Sequence, residues 1–336
     1  MCGVKVVVAC DAVGETRAVH AGRVLAQAWR DAGAQVALVP MGATGSDLVT
    51  ALRDAGAATG TDPFPTARTP DALVVVPPRV EQPAWTGTSE SAGTALEAAL
   101  ADPRALVAVD LTTVPAHDGG AGLLSALGAT ADTALTGGWG ALDGITALDL
   151  EAPRARLAGC ELVGLVDIDD TATPLTSLRG VSSVRGRAEG LDLSEIVAAD
   201  TALGALAALA GVDGVLPGPG AAGGNGLAVL ALGGTLTTAP ALSAGLAHLD
   251  RSLARADLLV SACTSLDIGN YGGPVVRHLA GLAVAHGVPL VVGAGHLAMG
   301  GRELRAHGVE AGYALDATTA RSLRSSAAGM VRTWTW

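Results

Sequence analysis

Four aspartates in this chain stand where an aspartate can work: Asp11, Asp118, Asp170 and Asp267. Asp11 follows the apolar run Val6-Val7-Val8-Ala9-Cys10 and opens the turn Asp11-Ala12-Val13-Gly14-Glu15-Thr16. Asp267 holds the same kind of position after Leu258-Leu259-Val260, within "SACTSLDIGNYGGPVV". Open α/β sheets bind ligands beyond the carboxyl ends of their strands. Two carboxylates at neighbouring strand ends can bind Mg²⁺ or accept a proton from a hydroxyl. Either one alone is also what an ordinary turn aspartate looks like.

Three further stretches carry glycine or arginine at suggestive spacing. "HDGGAGLLSALGA", from His117, sets Asp118 and Gly119-Gly120 at the start of a helix. Asp118 can cap that helix, and the glycines let a ligand approach the backbone. "LPGPGAAGGNGLAVLALGG", from Leu216, puts Gly218, Gly220, Gly223 and Gly224 ahead of an apolar helical run. Free N–H groups and the positive end of a helix dipole suit an anion there. A tightly packed turn would carry the same glycines. "DTATPLTSLRGVSSVRGRAEG", from Asp170, holds Arg179, Arg185 and Arg187, which either grip a carboxylate bidentately or form a solvated face. His117 and Cys263 are candidate groups for a changed chemistry.

The composition limits what these residues can be doing. Net charge is −11, which argues against nucleic acid or an anionic membrane as partner. Lys5 is the only lysine, so a phosphate-handling site must rely on Arg, Mg²⁺ and backbone N–H groups. Cys2, Cys10, Cys160 and Cys263 have no CxxC spacing and read as reduced thiols, which predicts a cytoplasmic protein. The opening apolar run is too short for a signal peptide. The longest uncharged stretch, Gly214 to Leu249, is broken by prolines and glycines, so no membrane span is expected. With aromatic residues at 2% of the chain, the cores must be built from Ala, Val and Leu.

The elements that must position these residues alternate along the chain. Strands are predicted at Val4–Ala9, Gln35–Val39, Ala72–Val76, Ala105–Asp110, Leu162–Asp167, Leu258–Ser261, Pro289–Gly293 and Ala311–Leu315. Most are continuous apolar runs, as expected for strands covered on both faces. Helices are predicted at Arg17–Ala32, Glu90–Ala101, Gly120–Leu127, Ser194–Ala210, Ala241–Ala254, Gly273–Ala285 and Arg302–His307. This rhythm predicts an α/β fold with parallel sheet. The proline-rich stretch Asp62-Pro63-Phe64-Pro65-Thr66 interrupts it and suggests a domain crossing. The closing "VRTWTW" is read as packing against the body.

Taken together and in this order, the segments resemble the type I glycerate kinases. The resemblance rests on "QVALVPM", on "TSESAGTALEAAL" with "ALVAVDLTTVPAHDGGAGLLSALGA", and on Asp170, Pro174, Leu175, Gly180, Gly186 and Gly190 without a gap. It rests most on "LPGPGAAGGNGLAVLALGGTL" and "ADLLVSACTSLDIGNYGGPVVRHLAGLAVAHGVPLVVGAG". It implies a Rossmann-like domain made from both chain ends, residues 1–62 and 250–336, with a central α/β domain, 63–249, inserted. It also implies ATP, Mg²⁺ and phosphoryl transfer to a hydroxyl of D-glycerate or a related small hydroxy acid, with a homo-oligomer left open. On this reading Asp11, Asp267 and Asp118 are catalytic candidates, and Asp11 and Asp267 would hold the metal. Gly119, Gly120, Asp170, Gly218, Gly220, Gly223 and Gly224 would bind phosphate or substrate, and Arg179, Arg185 and Arg187 the carboxylate.

The departures from the family are concentrated. Ala12 and Gly14 replace a serine and a lysine, and Gly42-Ala43-Thr44-Gly45-Ser46 replaces an acidic glycine-rich loop. Thr112-Thr113-Val114 replaces Gly-Gly-Ser, and His117 replaces Asn. Glu189 replaces a lysine, Ala262-Cys263-Thr264 replaces Gly-Glu-Gly, and Pro274 replaces another lysine. Losing charged donors typically costs several kcal/mol of transition-state stabilisation, about two decades of rate or more. A second expectation follows: a paralogue that binds ligands in the same place without transferring phosphate.

Overall fold

The uninterrupted Val/Leu/Ala runs become the middle strands of two sheets, because only a strand covered on both faces can bury every side chain. In the computed structural model, residues 3–61, 63–79, 81–102 and 104–334 are described; Cys2, Asp62 and Trp336 lie outside them. In chain order the strands are β1 (Lys5–Cys10), β2 (Gln35–Pro40), β3 (Ala58–Gly60), β4 (Thr66–Arg68), β5 (Ala72–Val75), β6 (Leu106–Asp110) and β7 (Thr130–Ala131), then β8 (Leu148–Asp149), β9 (Glu161–Leu165), β10 (Thr235–Thr237), β11 (Leu258–Leu266), β12 (Leu290–Leu297) and β13 (Ala311–Ala314). The α-helices are α1 (Ala18–Asp31), α2 (Gly45–Asp54), α3 (Glu90–Ala99), α4 (Ala121–Ala126), α5 (Glu151–Arg156), α6 (Val181–Glu189) and α7 (Leu193–Ala210), then α8 (Asn225–Ala231), α9 (Ala239–Leu246), α10 (Leu249–Leu253), α11 (Gly273–His286), α12 (Gly301–Ala306) and α13 (Ala320–Arg332).

The chain divides into two compact units. The first contains the residues up to Ala43, Thr50–Gly56, and those from Ala239 on; the second contains Thr44–Val49 and Ala57–Thr238.

The first unit is an all-parallel five-stranded sheet in the order β13-β12-β11-β1-β2. Counted within the unit, that is the doubly wound order whose direction reverses between its first and third strands, here β1 and β11. One face buries Leu25 and Trp29 of α1 with Leu323 and Met330 of α13. The other buries Leu249 and Leu253 of α10, Val275 and Leu279 of α11 and Leu304 of α12.

The second unit is a mixed six-stranded sheet, β10-β9-β6-β5-β4-β3. β5, β6, β9 and β10 are parallel, while β3 and β4 add antiparallel at one edge. Its core packs Leu96 of α3, Leu123 and Leu124 of α4, Leu203 and Leu206 of α7 and Leu227 of α8 against Val107 and Val109. Among the described residues α7 is the one helix long and apolar enough to cross a membrane. Here Leu203, Leu206, Ala207 and Ala210 along it are buried in that core.

Two predicted elements are corrected. The helix expected over Ala241–Ala254 is two helices, because His248 takes φ +50°, outside the right-handed helical region. The strand expected to end at Ser261 runs on to Leu266, because Cys263, Ser265 and Leu266 continue to pair with β12.

Candidate functional site

Asp11 and Asp267 both belong to the first unit, at the carboxyl ends of β1 and β11. These are the adjacent strands where the winding direction reverses. The buried Cys263 thiol feels the charge of both. Its pKa rises to about 12, first through burial and then through the negative charges of Asp11 and Asp267. A thiol held neutral in this way is a poor nucleophile.

Asp267 is oriented by a ring of donors. Its Oδ1 accepts from the amides of Gly269 (2.8 Å) and Asn270 (3.2 Å), and its Oδ2 from the Ser265 hydroxyl (2.5 Å). The Ser265 bond is the first cause of a pKa below the ordinary aspartate value, with the Gly269 amide next. A carboxylate stabilised in its charged form is suited to holding a cation and poorly suited to taking a proton.

The turn after Asp11 is closed on itself. Val13 and Thr16 exchange both backbone hydrogen bonds, at 2.9 and 3.0 Å. The Gly14 amide donates to Thr264 Oγ1 at 3.0 Å, and that hydroxyl donates to Ala12 O at 3.2 Å. The Asp11 amide donates to Ala262 O, and the Ala12 amide to Asp11 Oδ1. The amides of residues 11 to 14 are therefore spent, and none is left for a phosphate.

In the second unit the three glycine- or arginine-bearing stretches converge, but as a packed junction. Asp118 is fully buried. Its Oδ2 accepts from the amide and hydroxyl of Ser89 (2.7 and 2.9 Å) and from the Gly122 amide (3.1 Å), and its Oδ1 from the Gly120 amide (2.9 Å). One carboxylate thus ties the starts of α3 and α4 together. Burial pushes its pKa up, and these four donors pull against that.

The glycines expected to form a cradle, Gly119, Gly120, Gly218, Gly220, Gly223 and Gly224, lie in the same packed junction. All six are buried. The amides of Gly218 and Gly220 both donate to Thr173 O (3.1 and 3.0 Å), and that of Gly224 donates to Gly220 O (3.0 Å). At Gly220 a Cβ would stand 2.1 Å from Pro174 O, so glycine is required by the closeness of two backbones. Asp170 pins this loop from outside, accepting from the Ala222 amide at 2.5 Å and from the Thr173 hydroxyl at 2.6 Å.

The three arginines separate. Arg179 and Arg187 are exposed, whereas Arg185 turns inward and donates to Pro115 O at 2.7 Å, close to the charge of Asp170. Of the three, Arg185 alone faces the interior. Beside it His117 is buried, stacked on Trp85 with ring centroids 4.4 Å apart, and its Nε2 lies 3.1 Å from the Ser182 hydroxyl. Burial first, then the Arg185 charge, drive its pKa down to about 3.

One acid was missed in the sequence. Asp110 ends β6 and is buried; its Oδ1 accepts from the amide (3.0 Å) and hydroxyl (2.7 Å) of Thr112. Burial pushes its pKa up, with a further push from Asp167. The available signal was the one used for Asp11: an aspartate closing an apolar run.

The comparisons agree on one family. The glycerate kinase family profile matches residues 67–332. An uncharacterized protein of Mycobacterium bovis is 29% identical over 244 residues, covering 71% of this chain and 58% of that protein. A glycerate 2-kinase of Escherichia coli is 27% identical over 253 residues, covering 72% of this chain and 65% of that protein. The chain therefore spans less than two thirds of the length of these relatives. A crystal structure of a glycerate kinase 2 from Salmonella typhimurium superposes with a TM-score of 0.74 at 25% identity, covering 99% of this chain and 96% of that one. With the matching profile running from β4 to the end of α13, this chain belongs to the glycerate kinase family.

Proposed function

We propose that this chain is a kinase that transfers the γ-phosphoryl group of ATP to a hydroxyl of D-glycerate or a related small hydroxy acid. Family membership supports the reaction class. The observation that carries the site is the pair Asp11 and Asp267 at the carboxyl ends of β1 and β11, where this winding order puts its ligands.

Mg²⁺ suits this pair. Among the described residues no three His, Cys, Asp or Glu side chains are grouped to hold a metal. Mg²⁺ in phosphoryl-transfer sites commonly takes only one or two protein carboxylates, with nucleotide phosphates and water completing the octahedron. Asp267, kept ionised by Ser265 and Gly269, is the residue that would hold it, with Asp11 alongside. Bound there, the ion would neutralise charge on the β- and γ-phosphates. Asp11 accepts the proton of the substrate hydroxyl as its oxygen bonds to the γ-phosphorus and ADP leaves. Arg17, exposed at the start of α1 on the same side of the sheet as Asp11, is the cation nearest in sequence to that turn and stands in for the missing lysine.

The test is direct. Purified protein with ATP, Mg²⁺ and D-glycerate should release ADP in step with phosphorylated acid. No ADP across a panel of small hydroxy acids, with ATP still raising the melting temperature, would leave a binding protein. No ADP and no stabilisation by ATP would remove the kinase reading.

A further inference from the structure

We propose that the first unit carries a second binding site, for a small phosphate monoester with an apolar body, in the groove between α1 and α13. A cavity of about 320 Å³ opens there, on the outer face of the helix pair. Its floor is Val24 and Ala28 of α1 with Ala328 of α13, all half-buried. β1 and β13 run parallel and each leads directly into its helix, so α1 and α13 run the same way. That sets Arg324, early in α13, level with His20 and Arg23, early in α1, at one end of the cavity.

The two guanidinia are uncompensated. Neither arginine nor His20 joins an ion pair among the described residues. The chain as a whole carries −11, so two free guanidinia and an imidazole around one hollow run against its general field. Two guanidinia match a doubly charged phosphate better than a single carboxylate, since each can fork onto a pair of oxygens. The one acid of the cavity, Asp31, sits at the far end, where it accepts from Gln27 Nε2 at 2.7 Å. Eight residues of helix separate it from Arg23, about 12 Å at 1.5 Å per residue. The groove is therefore polar along its length, and the anionic head must lie at the Arg23–Arg324 end with the apolar body over Val24, Ala28 and Ala328. The volume suits a monocyclic or short-chain ester. Neither the two aspartates at β1 and β11 nor the closed turn contributes to it.

Titration calorimetry of the full chain with phenyl phosphate and, separately, inorganic phosphate tests the site. Phenyl phosphate should bind saturably, at least about tenfold more tightly than inorganic phosphate, because only it covers the apolar floor. The double variant Arg23→Gln/Arg324→Gln, changed only at exposed positions, should keep its melting temperature and weaken phenyl phosphate at least about tenfold. Equal affinity in the wild type and the double variant would overturn the proposal. So would equal affinity for the two probes, or no saturable binding of phenyl phosphate.

Discussion

Asp118 and Ser89 form a closed buried pair: one carboxylate oxygen accepts from both the amide and the hydroxyl of a serine 29 residues earlier. The Ser89 hydroxyl in turn accepts from the Leu123 amide at 2.9 Å. Removing the acid strands these donors in a dry interior. Asp118→Ala is expected to cost about 3–5 kcal/mol of stability, measured by urea unfolding. Any loss of turnover in that variant should follow the loss of folded protein. A variant as stable as the wild type but inactive would return Asp118 to the chemistry.

His117 predicts an acid sensitivity of definite sign. Its folded pKa of about 3 lies below the unfolded value near 6.5, so the unfolded chain takes up a proton that the fold excludes. The stability this neutrality requires is intact above pH 6.5 and is lost as pH falls from there towards 3. From about pH 7 to about pH 5 the wild type should lose about 2 kcal/mol more than His117→Asn. Parallel pH curves for the two proteins would show that His117 is not held neutral.

The packed glycine loop predicts two substitutions of opposite effect. Ala222 takes φ +50°, ψ +42°, a left-handed conformation that disfavours a side chain. Ala222→Gly should therefore raise stability by up to about 1 kcal/mol, read as a higher urea midpoint. Gly220→Ala, which drives a methyl group into Pro174 O, should lower it by about 3 kcal/mol or more. A tolerated Gly220→Ala would mean that the loop is open and that its amides are available to an anion after all.

Asp11 and Asp267 predict the reverse dissociation of activity from stability. Both are only half-buried, so Asp11→Asn and Asp267→Asn should fold normally. Each should lower phosphoryl transfer by about a hundredfold or more. Asp267→Asn should additionally weaken the response to added Mg²⁺. Unchanged rates in both variants would rule out the roles proposed for them.

Much of this architecture was legible because buried parallel strands have no alternative reading: Ala72–Val75 and Leu106–Asp110 end within one residue of their predicted bounds. The three-residue β3 and β4 were not, since strands that short carry no period and flank a proline-rich stretch. Asp11 and Asp267 were legible as strand-end acids. The role of Gly218 to Gly224 was not, because a phosphate cradle and a backbone crossing demand the same residue at the same spacing. Only the partners distinguish them, and Thr173 O and Asp170 lie some fifty residues away in the chain. The division among Arg179, Arg185 and Arg187 likewise depends on which way α6 faces, which three basic residues near one another do not specify.

β1 is made about 250 residues before β11 yet stands between β2 and β11, whose register pairs Val6 with Leu258. On the ribosome, that middle position has one neighbour until β11 has emerged. The inserted unit, complete by Thr238, can assemble meanwhile. The nascent unit of β1 and α1 must wait with an apolar edge uncovered, so chaperone dependence should concentrate there, and products cut short before Leu258 should be recognised and degraded through it.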